Sequence, residues 1–259
     1  MARKIKPVFQ VFHPLIFKCV DKELPLRIED FRHIVPKIHE AEFGFGKGSF
    51  ILRQAAENPD KIYVAVEAVP GLFFKALEKA CAKELPNLYL VLGDARLFFS
   101  LYLADAKLET IYFLFPDPWR KSRYHKHRMV SEKTVPYLVK LLKDDGRLVA
   151  RSDNHIVIFD IYEKFLENGL RLRKLEWNEN VENAYTDWEK KAIFDERKIL
   201  HSEFVLPSNS ELPELEPLFD IRQVSYRTLE NEKINVVNNA PNTDTAKFNA
   251  LSIPDSLLF

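Results

Sequence analysis

A doubly wound, mostly parallel α/β sheet is the fold class that this sequence predicts. Three observations carry it. Short apolar runs of strand length recur along the chain, stretches with helical spacing separate them, and a glycine-rich loop follows the first run. Such alternation favours right-handed strand–helix–strand crossovers, which bring the carboxyl ends of the strands to one rim. At 259 residues and 46% apolar content, the chain can bury a core in one large domain plus a smaller appendage.

The elements follow in order. Lys37 to Phe43 reads as a first strand, and Ser49 to Glu57 as a helix ended by Asn58-Pro59. Lys61 to Glu67 (KIYVAVE) is a second strand and Leu72 to Glu84 a second helix. Leu88 to Leu92 is a third strand, with Gly93-Asp94-Ala95 behind it, and Ile111 to Phe115 a fourth. Ser131 to Leu142 reads as a helix with Ser131 as N-cap and Pro136 in its early turns. Gly146 to Arg151 is a fifth strand, and His155 to Glu167 a helix closed by Gly169. The expected organisation is an N-terminal segment over 1–36, a domain over 37–201 and an extension over 202–259. Little order is predicted for that extension, since Ser208 to Pro217 is rich in Pro and Glu, and Asn238 to Lys247 is polar and turn-like.

Composition narrows the classes. The formal net charge is zero, so no global field draws in a polyanion, and any basic patch acts locally. Cys19 and Cys81 alone make no disulfide scaffold, so a reducing, cytoplasmic compartment is expected. The start, MARKIKPVFQVFHPLIF, is interrupted by Gln10, His13 and Pro14 and makes a poor signal peptide. No later stretch approaches a membrane span.

Three of the seven glycines, Gly44, Gly46 and Gly48, alternate within EFGFGKGSF. Glycines between a strand and a helix permit a tight turn and close backbone approach to a ligand. The pattern is GxGxG; Ser49 stands where a dinucleotide-type GxGxxG would place its third glycine, and alone the motif is equally that of a plain strand–helix turn. The acids say more. Glu42, Glu67, Asp94 and Asp117 stand at four consecutive strand ends and face one crevice. Four carboxylates repel a pyrophosphate and favour a cationic ligand such as S-adenosylmethionine, with its sulfonium and ammonium groups. Glu67 then suits the ribose hydroxyls, Asp94 the adenine amino group and Glu42 the methionine end.

The fourth strand runs into Pro116-Asp117-Pro118-Trp119, and then Arg120, Lys121, Arg123, Lys126 and Arg128 fall within nine residues. Two prolines hold the acid in a stiff turn beside dense positive charge, an arrangement that suits a nucleobase within a nucleic acid. Tyr124, His125 and His127 interleave with the cations and suit base stacking. With no Cys or Asp at ligand spacing near these histidines, no metal site is expected. Asp153 ends the fifth strand and points into the same crevice. Thr186-Asp187-Trp188-Glu189 offers a hydroxyl, an aromatic ring and carboxylates, and is also a capping sequence, with Thr186 as N-cap and Glu189 three residues on.

GFGKGSF, PDPWRKSRYHKHR, the Ser-Asp after the fifth strand and TDWEKKA, in that order, resemble the tRNA (guanine-N7)-methyltransferases over roughly residues 37 to 200. The resemblance implies a seven-stranded, Rossmann-like class I methyltransferase using S-adenosylmethionine to form 7-methylguanosine in the tRNA variable loop. It implies a cofactor set of Glu42, Glu67, Asp94 and Asp117, and a substrate set of Lys121, Asp153 and Thr186 through Glu189. Asp117 is the implied catalytic residue, with Arg120, Arg123, Lys126 and Arg128 as phosphate contacts. Trp188 stands where the family usually has Tyr or Phe, AIFDERKIL lacks the family's frequent glycine segment, and the last sixty residues or so exceed the common bacterial form. Rival readings are an amino-methyltransferase on the same fold, a nicotinamide oxidoreductase, and an RNA-binding module without catalysis.

Overall fold

A computed structural model describes residues 10–14, 26, 28–118, 128–178, 186–215 and 218. Eight strands form one sheet: β1 Gln10–Phe12, β2 Glu40–Phe43, β3 Tyr63–Glu67, β4 Leu88–Leu92, β5 Leu108–Leu114, β6 Leu142–Ser152, β7 Arg171–Asn178 and β8 Ile199–Val205. The helices are α1 Ile28–Arg32, α2 Ser49–Glu57, α3 Pro70–Ala82, α4 Ala95–Tyr102, α5 Val135–Leu141, α6 His155–Glu167 and α7 Asp187–Phe194, with a 3-10 turn at Val35–Lys37.

The strand order is β1-β4-β3-β2-β5-β6-β8-β7. Strands β4, β3, β2, β5 and β6 run parallel. β8 is antiparallel to both β6 and β7, and β1 is antiparallel to β4. The chain winds outward from β2 through β3 to β4, then returns to the other side of β2 with β5. The order therefore reverses between β2 and β5, and in open α/β sheets the crevice at such a reversal receives the ligand.

Alternation along each strand divides the core. Tyr63 and Ala65 pack with Phe50 and Ile51 of α2 and Phe73 and Leu77 of α3 on one face. Val64 and Val66 pack on the other, in the layer that holds Phe98 of α4, Leu138 of α5 and Phe165 of α6. Both faces are covered, so β3 and β4 read as nearly continuous apolar runs, whereas β2 carries the two buried acids Glu40 and Glu42.

The expectation of a mostly parallel, doubly wound sheet holds, with corrections at its margins. The sheet has eight strands and not seven, because three residues of the N-terminal segment cap the β4 edge. So short a strand leaves no readable period. β8 runs through position 202, so the ordered sheet extends beyond the expected domain end at 201. The helix expected from Ser131 starts at Val135 with Thr134 as N-cap, because Pro136 fits only the first turn. Ser131 instead closes the preceding turn, its amide donating to Thr134 Oγ1 at 2.8 Å.

Candidate active site

The crevice begins with the glycine loop. Gly44, Gly46 and Gly48 all have positive φ, and Gly48 is also sterically required: a Cβ there would lie 2.9 Å from that of Ala76. Glu67 braces the loop from the neighbouring strand. Its Oε2 accepts from the Gly46 amide at 2.8 Å and its Oε1 from the Val69 amide at 2.9 Å. Asp187 pins the outer side, accepting from Ser49 Oγ at 3.3 Å and pairing with Lys47 at 3.2 Å. Partial burial opposes ionisation of Asp187, but these bonds hold its carboxyl below the ordinary value. The loop is thus tied to the first turn of α7, a contact across 138 residues of sequence.

Two buried glutamates on β2 differ sharply. Glu40 is satisfied: Lys61 Nζ reaches its Oε1 at 2.6 Å and the Tyr112 hydroxyl donates to its Oε2 at 2.8 Å. Glu42, 2% exposed, has no partner for Oε2 among the described residues. Burial first, then Glu67 and Glu189 nearby, push its carboxyl up to about 8, although a backbone hydrogen bond at Ile51 opposes this. A buried carboxyl oxygen without a donor, beside an open glycine loop, is the signature of a site shaped for a cationic group. The carboxylate set and the loop fit S-adenosylmethionine on that ground.

Asp94 caps α4, accepting from the Arg96 amide at 2.9 Å, and its two oxygens also take the Arg96 guanidinium, with Nη2 at 2.5 Å from Oδ2. At the end of β5 the chain turns sharply. Phe115 adopts φ +54°, a conformation costly for an aromatic residue, and its amide donates to Arg151 O at 2.8 Å. Asp117, two residues on, is exposed at the crevice mouth.

The substrate-side expectations sort differently. Thr186 and Glu189 form a capping box on α7: Thr186 Oγ1 accepts from the Glu189 amide at 3.0 Å, and Glu189 Oε2 from the Thr186 amide at 2.8 Å. Glu189 is 2% exposed, and its Oε1 lies 2.6 Å from Arg151 Nη1. Asp153 pairs with Arg197. Trp188 presents its ring at the surface, with Lys191 Nζ 5.6 Å from the ring centroid. Arg128 is committed within the chain, to Asp160 and to Pro118 O at 3.1 Å each, and so anchors the end of the basic stretch instead of standing free for phosphate. Arg120, Lys121, Arg123 and Lys126 lie outside the described residues. Among the described residues no group of three or more His, Cys, Asp or Glu could hold a metal ion.

Sequence reasoning missed Arg151, His201 and Lys47. Arg151 and His201 meet through the pairing of β6 with β8, and Arg151 and Lys47 meet α7, contacts that spacing along the chain does not encode.

A family profile described as "Putative methyltransferase" matches residues 37–202, from just before β2 into β8. The tRNA (guanine-N(7)-)-methyltransferase of Aquifex aeolicus is 31% identical over 206 residues, covering 75% of this chain and 67% of that one. Its counterpart in Mycoplasmopsis pulmonis is 30% identical over 182 residues, covering 68% and 89%. This chain belongs to the tRNA (guanine-N7)-methyltransferase family. Among solved structures, an antibiotic-related methyltransferase aligns with a TM-score of 0.56 at 19% identity, over 71% of this chain and 96% of the other, a likeness of fold. The methyltransferase profile contains every described site residue from Glu42 to Glu189, whereas β1 lies before it. No described helix is long and apolar enough to cross a membrane.

Proposed function

We propose that this methyltransferase transfers a methyl group from S-adenosylmethionine to N7 of a guanine in the tRNA variable loop, forming 7-methylguanosine in the cytoplasm. The observation that carries the reading is a pair of carboxyl groups flanking one switch point. Glu42, buried with one carboxyl oxygen lacking a donor among the described residues, lies near the end of β2, and Asp117, exposed in a proline-bounded turn, follows β5. One is suited to a cation and the other to the donor edge of a purine. The activity named for the relatives supports the same assignment.

Glu42 takes the amino-acid end of the cofactor. Gly44, Gly46 and Gly48 let backbone approach it, and Glu67 and Asp94 offer the adenosine portion the lone pairs left over from their bonds to Gly46, Val69 and Arg96. When bound, S-adenosylmethionine supplies a methyl group already activated by the sulfonium. Guanine N7 carries a lone pair and no proton, so no residue acts as general base. The side chains position and stabilise instead. Asp117 accepts hydrogen bonds from the guanine edge and faces the positive charge that gathers on the purine. A hydrogen bond to a charged group contributes about 1.5–3 kcal/mol, equivalent to roughly 10- to 100-fold in rate.

Of the expected substrate set, Trp188 offers an open ring for base contact. Thr186, Asp187 and Glu189 act by fixing the helix end that carries it. Lys121 and Asp153 flank the guanine, and Arg120, Arg123 and Lys126 take phosphates. The test is incubation with radiolabelled S-adenosylmethionine and unmodified tRNA, followed by nucleoside analysis. Label in 7-methylguanosine is expected; label only in another nucleoside, or none, would overturn the reading.

A further inference from the structure

The substrate side of the crevice hangs on a residue outside the expected site. β8 sets His201 opposite Arg151 of β6. His201 is 5% exposed; its Nδ1 accepts from Arg151 Nε at 2.7 Å, and its Nε2 lies 3.0 Å from Glu203 Oε1. A guanidinium nitrogen only donates and a carboxylate only accepts, so the imidazole is neutral with its proton on Nε2. The same Arg151 reaches Glu189, which closes the capping box on Thr186. Its carbonyl also receives the Phe115 amide, at the turn into Asp117. The Arg151 side chain is therefore oriented by His201 and in turn orients Glu189 and the start of α7, while the backbone of the same residue holds the turn into Asp117.

We propose that His201 is a positioning residue for methyl transfer: as a neutral acceptor it aims Arg151 at Glu189, and so keeps α7 fixed against the end of β6, where the Asp117 turn is also held. This rests on the methyl-transfer reading above. A proton added to Nδ1 replaces the acceptor by a donor and sets two cations face to face. Arg151 then loses its inner hold, and Glu189 loses the partner that offsets its burial beside Glu42 and Glu67.

The charged groups around the imidazole agree with a neutral resting state. Arg151 and Arg147 face it from β6, the latter 3.9 Å from Glu203. Glu203 lies on β8 itself. From β7 come Glu176, which is paired opposite His201, and Lys174, which is 2.7 Å from Glu176. Glu189 stands behind Arg151 from α7. Burial, then the Arg151 charge, hold the imidazole below the ordinary histidine value, against the pull of Glu203.

The experiment compares wild type, His201→Asn and His201→Phe. Asparagine keeps a non-titrating acceptor near Nδ1, and phenylalanine keeps a ring without one. Single-turnover formation of 7-methylguanosine is followed from about pH 5 to about pH 8, at saturating S-adenosylmethionine. In parallel, amide exchange is measured at Thr186 and Glu189. Wild type is expected to lose roughly tenfold in rate per pH unit below one midpoint. The Asn variant should keep most of the neutral-pH rate without that loss, and the Phe variant should be about 10- to 100-fold slower throughout with cofactor affinity unchanged. Protection of the two amides should fall at the same midpoint in wild type and not in the Asn variant. An unchanged acid limb in the Asn variant, or a wild-type rate in the Phe variant, would overturn the proposal. If the wild type forms no 7-methylguanosine, the functional reading fails by itself and the exchange arm still decides the role of His201.

Discussion

Replacing Glu42 by Gln probes the one buried carboxyl oxygen of the crevice that lacks a donor. Burial, then Glu67 and Glu189, raise this group from 4.5 to about 8. The unfolded chain ionises it near the ordinary value, while the native chain keeps the proton until about pH 8. The native state therefore binds more protons inside that window, so stability falls as pH rises through it and levels off above. One proton of difference costs about 1.4 kcal/mol per pH unit, so going from about pH 6 to about pH 7.5 removes roughly 2 kcal/mol. At roughly 2–4 °C per kcal/mol for a chain of this size, that is a fall in Tm of about 4–8 °C. Glutamine has nearly the same shape and does not ionise. The Glu42→Gln variant should lack this part of the decline and match or exceed wild-type stability near the top of the window. Thermal unfolding of the cofactor-free protein, followed by circular dichroism across these pH values, measures it directly. Parallel Tm–pH curves for the two proteins would refute the reasoning. The cofactor's ammonium is proposed to drive the proton off Glu42 on binding, a step that glutamine cannot make, so the Kd for S-adenosylmethionine should rise about 10- to 100-fold by calorimetry.

Other outcomes follow from the same geometry. Asp117→Asn should slow single-turnover methylation about 10- to 100-fold with tRNA affinity little changed, and a wild-type rate would leave proximity as the whole mechanism. Glu67→Ala removes the acceptor of the Gly46 and Val69 amides as well as the proposed ribose contact, so cofactor affinity should fall; wild-type binding would remove that assignment. Gly48→Ala must place a side chain at φ +75° and against Ala76, and should destabilise the fold by about 1–3 kcal/mol in urea unfolding. Charge reversal at Lys126 should weaken tRNA binding and flatten its salt dependence. Reversal at Arg128 should instead lower Tm, since its partners are Asp160 and Pro118.

Much of the central sheet was legible because its signals are local. Strands β3 and β4 are short, mostly apolar and buried, and Glu42, Glu67, Asp94 and Asp117 stand in or within three residues of strand ends. The glycine loop carries its own backbone requirement. Strand pairing at the flanks is another matter: β1 has three residues, and β7 is exposed along its length, so neither shows the expected period. The roles of the acids were legible only in part. Glu42 stands near the end of β2 with its Oε2 lacking a donor among the described residues, as a ligand group would. The bonds of Asp153 to Arg197 and of Glu189 to Arg151 join residues brought together by topology, which spacing along the chain does not encode. Thr186-x-x-Glu189 was readable as a cap because both partners lie within one turn.

The two rims of the sheet bear on self-association. An open sheet ends in rows of unpaired amides and carbonyls that another chain can extend. Among the described residues the row on one side belongs to β1 and spans three residues, with Val11 O already accepting from the Leu26 amide, too few to template a stable added strand. On the other side β7 offers eight residues, but Arg171, Arg173 and Lys174 fall in its first half and its pairing with β8 shifts register between Leu172 and Lys174. A second copy approaching in parallel register would bring these like charges together along an uneven edge. Such an edge resists strand-by-strand growth while leaving positive charge at the surface of a protein whose substrate is a polyanion.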